Sequence, residues 1–402
     1  MKKVLLAGTA LVGAALIASP AQAELKLGLG GHFSGYGVYV DQDNDNGQNN
    51  FEFRKNTEIH FTGETTLDNG LTVGVHVEQE VENNSNNNES YAYFSGGWGR
   101  VNFGNEDGAA YLLQVAAPSA DSNIDGLRAT ISGFSVPTNV GSGVPADAAA
   151  LLALGNLNAL AFSGSGTTLD YQHADFGNGP SDSLQDNAVD RITYLSPKFN
   201  GFQAGVSYAP EARLNTGIQA MGADNVGFEN LWELAARWDG QFEGIGLSLG
   251  AGYSHASDQA VGGDDLTTWN VGANVAWNAF SFGAGYLNSE QADDSDTWVV
   301  GAAWDNGPWH VGASYLNGKA DNSGISVGAN AGVTTAQIND LETERFTVGG
   351  GYTFGPGMTF RGAIAWGSID GGSITNDLAG STARVSADED FTQVTIGTNI
   401  QF

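Results

Sequence analysis

The sequence contains no cysteine, which excludes disulfide bridges, thiolate catalysis and cysteine-ligated metal centres. Basic residues are scarce, with 15 Lys and Arg against 45 Asp and Glu, and the formal net charge of −30 excludes nucleic acid as a partner. Beyond residue 23, no apolar run is long enough for a transmembrane helix. The 58 glycines argue against a helical protein, because glycine costs about 1 kcal/mol in a helix interior.

The first residues predict export from the cytoplasm. Residues 1–3 (MKK) form a short basic region, 4–18 are apolar or small, and 21–23 (AQA) form an A-x-A cleavage site. This order is typical of a secretory signal peptide rather than a membrane anchor. We therefore expect residues 1–23 to be removed and 24–402 to form the mature protein.

Apolar and polar residues alternate with a period of two through most of the remaining chain. In 298–304 (WVVGAAW) the even positions carry Trp, Val, Ala and Trp, and after the turn at 305–308 the odd positions of 309–315 (WHVGASY) repeat this pattern. Aromatic residues thus bracket a band of aliphatic residues. A soluble β-sandwich would place aromatic residues in mid-strand and polar residues outside. The observed pattern is instead typical of a transmembrane β-barrel.

Sixteen segments show this alternation and are predicted to be strands. The predicted strands are 25–40, 51–65, 70–82, 89–96, 98–104, 188–196, 201–209, 231–240, 245–256, 267–278, 279–289, 296–304, 309–317, 342–354, 357–369 and 389–402. Short turns and long loops alternate between them, as in single-chain outer-membrane barrels, and sixteen strands enclose an aqueous channel. We therefore predict an all-β fold, a 16-stranded antiparallel transmembrane barrel over 24–402. Its last strand, ending at Phe402, pairs with the first so that no edge is left open.

Several stretches resemble the general diffusion porins of Gram-negative outer membranes, in the branch typical of alphaproteobacteria. They are the signal peptide, 51–80, 91–108, 188–208 and the terminal strand ending on Phe402. The resemblance implies a homotrimer of outer-membrane channels that pass small hydrophilic solutes and ions, need no cofactor, and contact lipid and lipopolysaccharide. It also implies that the barrel-assembly machinery reads the terminal strand.

The resemblance further implies that the third loop folds into each lumen, where acidic loop residues face basic wall residues across a narrow eyelet. This loop is predicted at 105–187, which is long for the family. On the basic side we expect Arg54 and Arg100. The candidates for the acidic side are Glu106, Asp107, Asp121 and Asp125. Such a transverse field favours small hydrated solutes, and the excess of loop acids predicts a preference for cations.

Two patterns raise the question of a bound metal. The acids Asp41, Asp43, Asp45 and Glu52 copy the spacing of a calcium loop, although the glycine comes one place late. They predict either a weak structural calcium site or a solvated acidic loop.

The second pattern lies in the strands on either side of the 66–70 turn. If that turn sets the register, His60 lies opposite His76 and Glu58 opposite Glu78. This arrangement fits either a divalent metal site or a polar lumen wall.

Three alternatives to a general diffusion porin stay open. A solute-selective porin would need a binding site in the lumen, which the loops could supply. An outer-membrane protease or phospholipase would need Ser/His or Asp/His groups at the outer rim. A secreted soluble β-protein would dissolve without detergent. The strand count, the long third loop and the lack of a nucleotide or redox motif favour the diffusion porin. The alternation also places seven basic residues inside the barrel: Lys26, Arg54, Arg100, Arg191, Arg237, Arg345 and Arg361.

Overall fold

The computed structural model describes most of the predicted barrel. The described residues are 25–43, 49–81, 87–127, 131, 171–173, 189–211, 228–258, 263–290, 294–320, 336–378, 381–385 and 389–402. The predicted signal peptide at 1–23, Asp45 and much of the predicted 105–187 loop lie outside them. Among the described helices, none has both the length and the apolar character needed to cross a membrane.

The alternating segments form one antiparallel sheet of seventeen strands, and two short helices follow the fifth strand. The strands are β1 (Lys26–Gln42), β2 (Phe51–Thr66), β3 (Thr72–Glu80), β4 (Asn87–Gly96), β5 (Gly99–Asn105), β6 (Asp190–Leu195), β7 (Phe202–Glu211), β8 (Phe228–Phe242), β9 (Ile245–Asp258), β10 (Leu266–Trp277), β11 (Phe280–Glu290), β12 (Asp294–Asn306), β13 (Trp309–Ala320), β14 (Ala336–Gly355), β15 (Met358–Leu378), β16 (Ser381–Val385) and β17 (Glu389–Gln401). The helices are α1 (Ala109–Leu112) and α2 (Ser122–Asp125).

The sheet closes on itself, because β17 pairs with β1 in a register that sets Phe33 opposite Ile400. The Phe402 N–H donates to the Gly31 carbonyl over 3.1 Å, and the Gly31 N–H donates back to the Phe402 carbonyl over 3.0 Å. β16 and β17 both pair with β15 and together form the sixteenth barrel strand. The predicted 16-stranded antiparallel barrel is therefore confirmed, and closure satisfies the backbone groups that a sheet edge would expose to lipid.

Alternation sorts the side chains between the two faces of the wall. On β2, Phe53 and Phe61 are exposed on the outer face, whereas Asn56 and Glu58 lie buried on the inner face. Outer aromatic rings also contact each other between strands, as in the pair Trp298 and Tyr315, whose centroids are 5.0 Å apart with the ring planes tilted by 50°. Because lipid takes the place of a protein core on the outside, the large apolar side chains point outward.

The register between β2 and β3 differs from the predicted one by two residues. The last pair before the turn joins Thr66 to Thr72, so Glu78 lies opposite His60 and not opposite Glu58. The predicted pairing of His60 with His76 is therefore wrong. The turn is wider than expected because the Leu67 N–H donates to the Leu71 carbonyl over 2.8 Å.

Candidate functional site

The segment that follows β5 contacts the inner face of the barrel, beginning at α1. The Ala109 N–H donates to Ser207 Oγ on β7 over 2.8 Å, and the Ala110 N–H donates to Glu233 Oε2 on β8 over 2.9 Å. Glu233 also accepts from Arg191 Nη1 over 2.6 Å, and both side chains are 2% exposed. The buried ion pair thus supplies an acceptor for one of the unpaired amides at the start of α1, and Ser207 supplies one for another.

A glycine is required where the segment enters α1. A Cβ at Gly108 would collide with the Glu233 carboxylate and with the Arg191 guanidinium. The absence of a side chain lets the backbone approach the ion pair closely enough for its amides to bind there.

A second attachment joins two distant parts of the loop to β9 and β10. The Gln114 side chain donates to the Tyr171 carbonyl over 2.6 Å and accepts from the His173 N–H over 3.0 Å. His173 is fully buried, with Nε2 lying 2.8 Å from Ser254 Oγ and Nδ1 lying 2.7 Å from Asn270 Nδ2. Because the amide donates to Nδ1, the proton of the neutral imidazole is on Nε2, where Ser254 accepts it.

The third attachment crosses to the strands on either side of the barrel closure. Asp121 accepts from Tyr36 Oη on β1 over 2.6 Å and from Arg361 Nη1 on β15 over 2.7 Å. It also caps α2, since the Asn123 N–H donates to its Oδ1 over 3.0 Å.

Asp125, at the end of α2, forms an ion pair with Arg345 on β14 and accepts from Ser314 on β13. From α1 to α2 the segment therefore runs along the inside of the wall, from β7 round to β14, β15 and β1.

The predicted constriction residues fall into two groups. Arg100 Nε donates to Asn102 Oδ1 over 2.6 Å, and Asn102 Nδ2 donates to Glu106 Oε2 over 3.1 Å, so Arg100 and Glu106 are joined through one amide. Asp107 lies beside Glu106, and a carboxylate oxygen of Asp107 lies within 4.8 Å of a carboxylate oxygen of Glu106.

The second group lies at β1, β2 and β13 to β15. Asp121 and Asp125 contact β1 and β13 to β15, and each pairs with an arginine, as described above. Arg54 forms an ion pair of 2.9 Å with Glu52 and lies opposite Tyr36 in the β1–β2 ladder. Arg54 is thus next to the point where Asp121 attaches, but its own carboxylate partner is Glu52.

Sequence reasoning placed Arg191, Arg345 and Arg361 inside the barrel but did not identify their acidic partners. The alternation of the strands is the signal that points these arginines inward. The carboxylate partner of Arg361 is 240 residues away in the chain, and no local pattern specifies such a pair.

The chain matches a known protein family over most of its length. Residues 7–372 match the family model described as Gram-negative porin. The chain belongs to the Gram-negative porin family. This porin is accordingly an outer-membrane channel for passive diffusion, with the fold of a non-enzymatic channel.

Solved structures share the fold of this porin at low sequence identity. An anion-selective porin from Comamonas acidovorans is similar with a TM-score of 0.58 and 15% identity, covering 94% of this chain and 100% of its own. In-vitro folded OmpT, an outer membrane protein of Vibrio cholerae, is similar with a TM-score of 0.55 and 14% identity, covering 97% and 100%. A mutant of the Rh. blastica porin is similar with a TM-score of 0.52 and 16% identity, covering 94% and 100%. A search among curated proteins found no match.

In this porin, the described acids of the predicted calcium site contact different groups. Asp45 lies outside the described residues. Glu52 is occupied by the ion pair with Arg54, and the Asp43 N–H donates to the Asp390 carbonyl over 3.1 Å. The calcium site stays a prediction from the sequence.

Acid is expected to loosen the loop through His173. Burial lowers the pKa of His173 from its ordinary 6.5 to about 3, and the positive charge of Arg191 adds to this. A released imidazole would bind a proton between these values, so the attachment weakens as the pH falls below about 6.5. We expect channel current to become noisier between about pH 6 and pH 4.

A variant with a neutral side chain at this position supplies the control. His173→Gln replaces the imidazole with a side-chain amide that does not titrate. Single-channel recordings of this variant should therefore show a smaller change in current noise over the same pH range. Identical pH profiles for the two proteins would contradict this role of His173.

Proposed function

We propose that the protein is a general diffusion porin with a preference for cations, narrowed by the segment 106–127. The observation that carries the sign of the preference is an acidic inner wall on β2 to β5. Its members, which we call the acidic wall, are Glu58, Glu64, Glu78, Glu80, Glu89, Glu106 and Asp107. Arg100 is the basic residue joined to this group through Asn102.

Five other carboxylates each lie beside an arginine, in the pairs Arg54–Glu52, Arg191–Glu233, Arg237–Asp239, Arg345–Asp125 and Arg361–Asp121. The acidic wall instead has seven carboxylates and one arginine, Arg100, so its formal charge is negative. This charge raises the local concentration of cations in a narrow aqueous space. The anion-selective Comamonas porin has the same fold, so side chains rather than the fold set the sign.

The constriction is proposed to lie between the loop segment and the wall. Glu106, Asp107, Asp121 and Asp125 form its acidic side, and Arg54 and Arg100 contribute the basic side. Arg345 and Arg361 anchor this acidic side to the wall through their direct ion pairs with Asp125 and Asp121. Opposed charges across the gap orient water and favour small hydrated polar solutes over apolar ones.

The remaining features follow the family. We propose a homotrimer in the outer membrane, surrounded by lipid and lipopolysaccharide, without a required cofactor and without enzymatic activity. A Vibrio cholerae OmpT structure similar to this chain is described as a trimer form. The C-terminal strand, ending at Phe402, is proposed to be the segment that the barrel-assembly machinery recognises.

A solute-selective porin is the second candidate, because the acidic wall also offers a surface for a cationic solute. Two measurements on the refolded protein separate these functions. A reversal potential in a KCl gradient gives the ion preference, and titration of the current with polar solutes reports specific binding. A general diffusion porin shows no block at low solute concentration, whereas a block by one class of solute would favour a solute-selective channel.

The cation preference is expected to rise with pH near neutrality. Burial, together with the charge of Asp107, raises the pKa of Glu106 to about 7. Below that pH the carboxyl is neutral, and above it the wall gains a negative charge. Other charged or titratable groups near it are Glu78, Glu89, Tyr91 and Arg100.

Reversal potentials at about pH 6 and pH 8 test this expectation. The wild-type channel should become more cation-selective at the higher pH, and Glu106→Gln should lose that part of the change. An unchanged pH response in Glu106→Gln would show that Glu106 does not cause the change in ion preference.

A further inference from the structure

Imidazoles and carboxylates alternate in one row across the lumen face of β1, β2 and β3. His32 Nδ1 lies 3.6 Å from Glu58 Oε2, and His60 Nε2 lies 3.3 Å from the same oxygen. On its other side, His60 Nδ1 is 2.9 Å from Glu78 Oε1, which is also 2.9 Å from His76 Nε2. We propose that His32, Glu58 and His60 form a binding site for Zn²⁺ on the wall of the pore.

The spacing of these three groups suits a zinc site, because one ligand atom from each lies within 4.8 Å of the other two. Two ligands on one tetrahedral zinc, with bonds of about 2.0–2.1 Å, are separated by about 3.3 Å. The separations of 3.6 and 3.3 Å around Glu58 fall near this value. The 2.9 Å separations around Glu78 are those of ordinary hydrogen bonds. An ion would therefore need little rearrangement at Glu58.

Each histidine in the proposed site is also held by its second ring nitrogen. His32 Nε2 lies 2.6 Å from Asn56 Oδ1, and the Asn56 amide is oriented by donating to Glu80 Oε1 over 3.1 Å. His32 therefore carries its proton on Nε2, and the lone pair of Nδ1 points towards Glu58. His60 presents Nδ1 to Glu78 in the same way. Metal-binding histidines almost always donate their other N–H to such an acceptor, which fixes the ring and its tautomer.

The ligand chemistry selects the ion. Two imidazoles and one carboxylate form the set that holds zinc in sites with one open position. Calcium and magnesium prefer oxygen ligands throughout. The three side chains are 25%, 11% and 28% exposed, so an ion can reach them from the lumen while the fourth position holds water. The acidic wall around the site concentrates divalent cations there.

Zinc binding to the refolded full chain in micelles tests the proposal, with calorimetry as the readout. We expect one strong Zn²⁺ site per chain and at least about tenfold weaker binding in His32→Gln and in His60→Gln. His76→Gln is the matched control, because it removes an imidazole from the same row but outside the ligand set. Its zinc affinity should stay close to that of the wild type, and Mg²⁺ should not compete.

Cobalt provides an independent readout of the ligands. Co²⁺ in the same site should give visible absorption bands typical of four-coordinate cobalt, and these bands should be absent from His32→Gln. Circular dichroism of each variant confirms that the barrel has folded. The proposal is overturned if the wild-type chain binds no zinc, if His32→Gln binds it equally well, or if His76→Gln is the variant that loses it.

Discussion

Glu233→Gln is expected to release the start of α1 from the barrel wall. The substitution leaves the Arg191 guanidinium buried without this carboxylate, and breaking a buried ion pair in this way costs about 3–5 kcal/mol. It also weakens the acceptor of the Ala110 N–H. Amide hydrogen exchange in 106–113 should therefore become faster by about a hundredfold or more.

Two control variants isolate the effect of the charge. Glu243→Gln removes an acid from an exposed turn after the same strand and should leave exchange in 106–113 unchanged. Replacing Arg191 and Glu233 together with Met and Leu removes both charges and should destabilise less than Glu233→Gln alone. Slow exchange in Glu233→Gln, equal to that of the wild type, would show that this ion pair does not hold the loop.

Neutralising Asp121 and Asp125 together is expected to shift the channel towards anions. Both carboxylates come from the loop, and their removal leaves Arg361 and Arg345 on the lumen side without them. Two added positive charges acting over about 10 Å of water change the energy of a monovalent ion by about 0.8 kcal/mol. This corresponds to roughly a fourfold fall in local cations and a similar rise in anions at low salt.

Reversal potentials of the Asp121→Asn, Asp125→Asn double variant measure this shift. The matched control is the Asp68→Asn, Glu243→Gln double variant, which removes the same charge from two exposed turns at one end of the strands. The control should shift the reversal potential less, because its carboxylates lie at the rim rather than beside the loop. Equal shifts in both variants would contradict a constriction at the loop attachments.

Strand positions could be predicted because two physical constraints act together. A lipid-facing wall demands apolar residues at every second position, so the alternation around Phe53 predicts a strand. A bilayer tolerates no open sheet edge, so the terminal strand ending on Phe402 predicts closure of the barrel. The register of β2 and β3 was missed because it depends on the width of one turn, and a wider turn moved His60 from His76 to Glu78.

The site could be predicted only in part. Alternation shows that Arg345 and Arg361 face inward, but the choice of Asp125 and Asp121 as partners depends on how the loop crosses the lumen. His173 carries no sequence signal either, since its burial depends on Ser254 and Asn270 of distant strands. The chemistry of a loop inside a barrel is set by contacts between residues that are far apart in the chain.

Single-channel recording in a planar bilayer, with a salt gradient across it, shows whether the protein forms a passive water-filled channel. We expect stepwise insertion of large open channels, closure in groups of three, and a reversal potential whose sign shows a preference for cations. Absence of conductance steps, or block of the current by one class of solute at low concentration, would contradict a general diffusion porin.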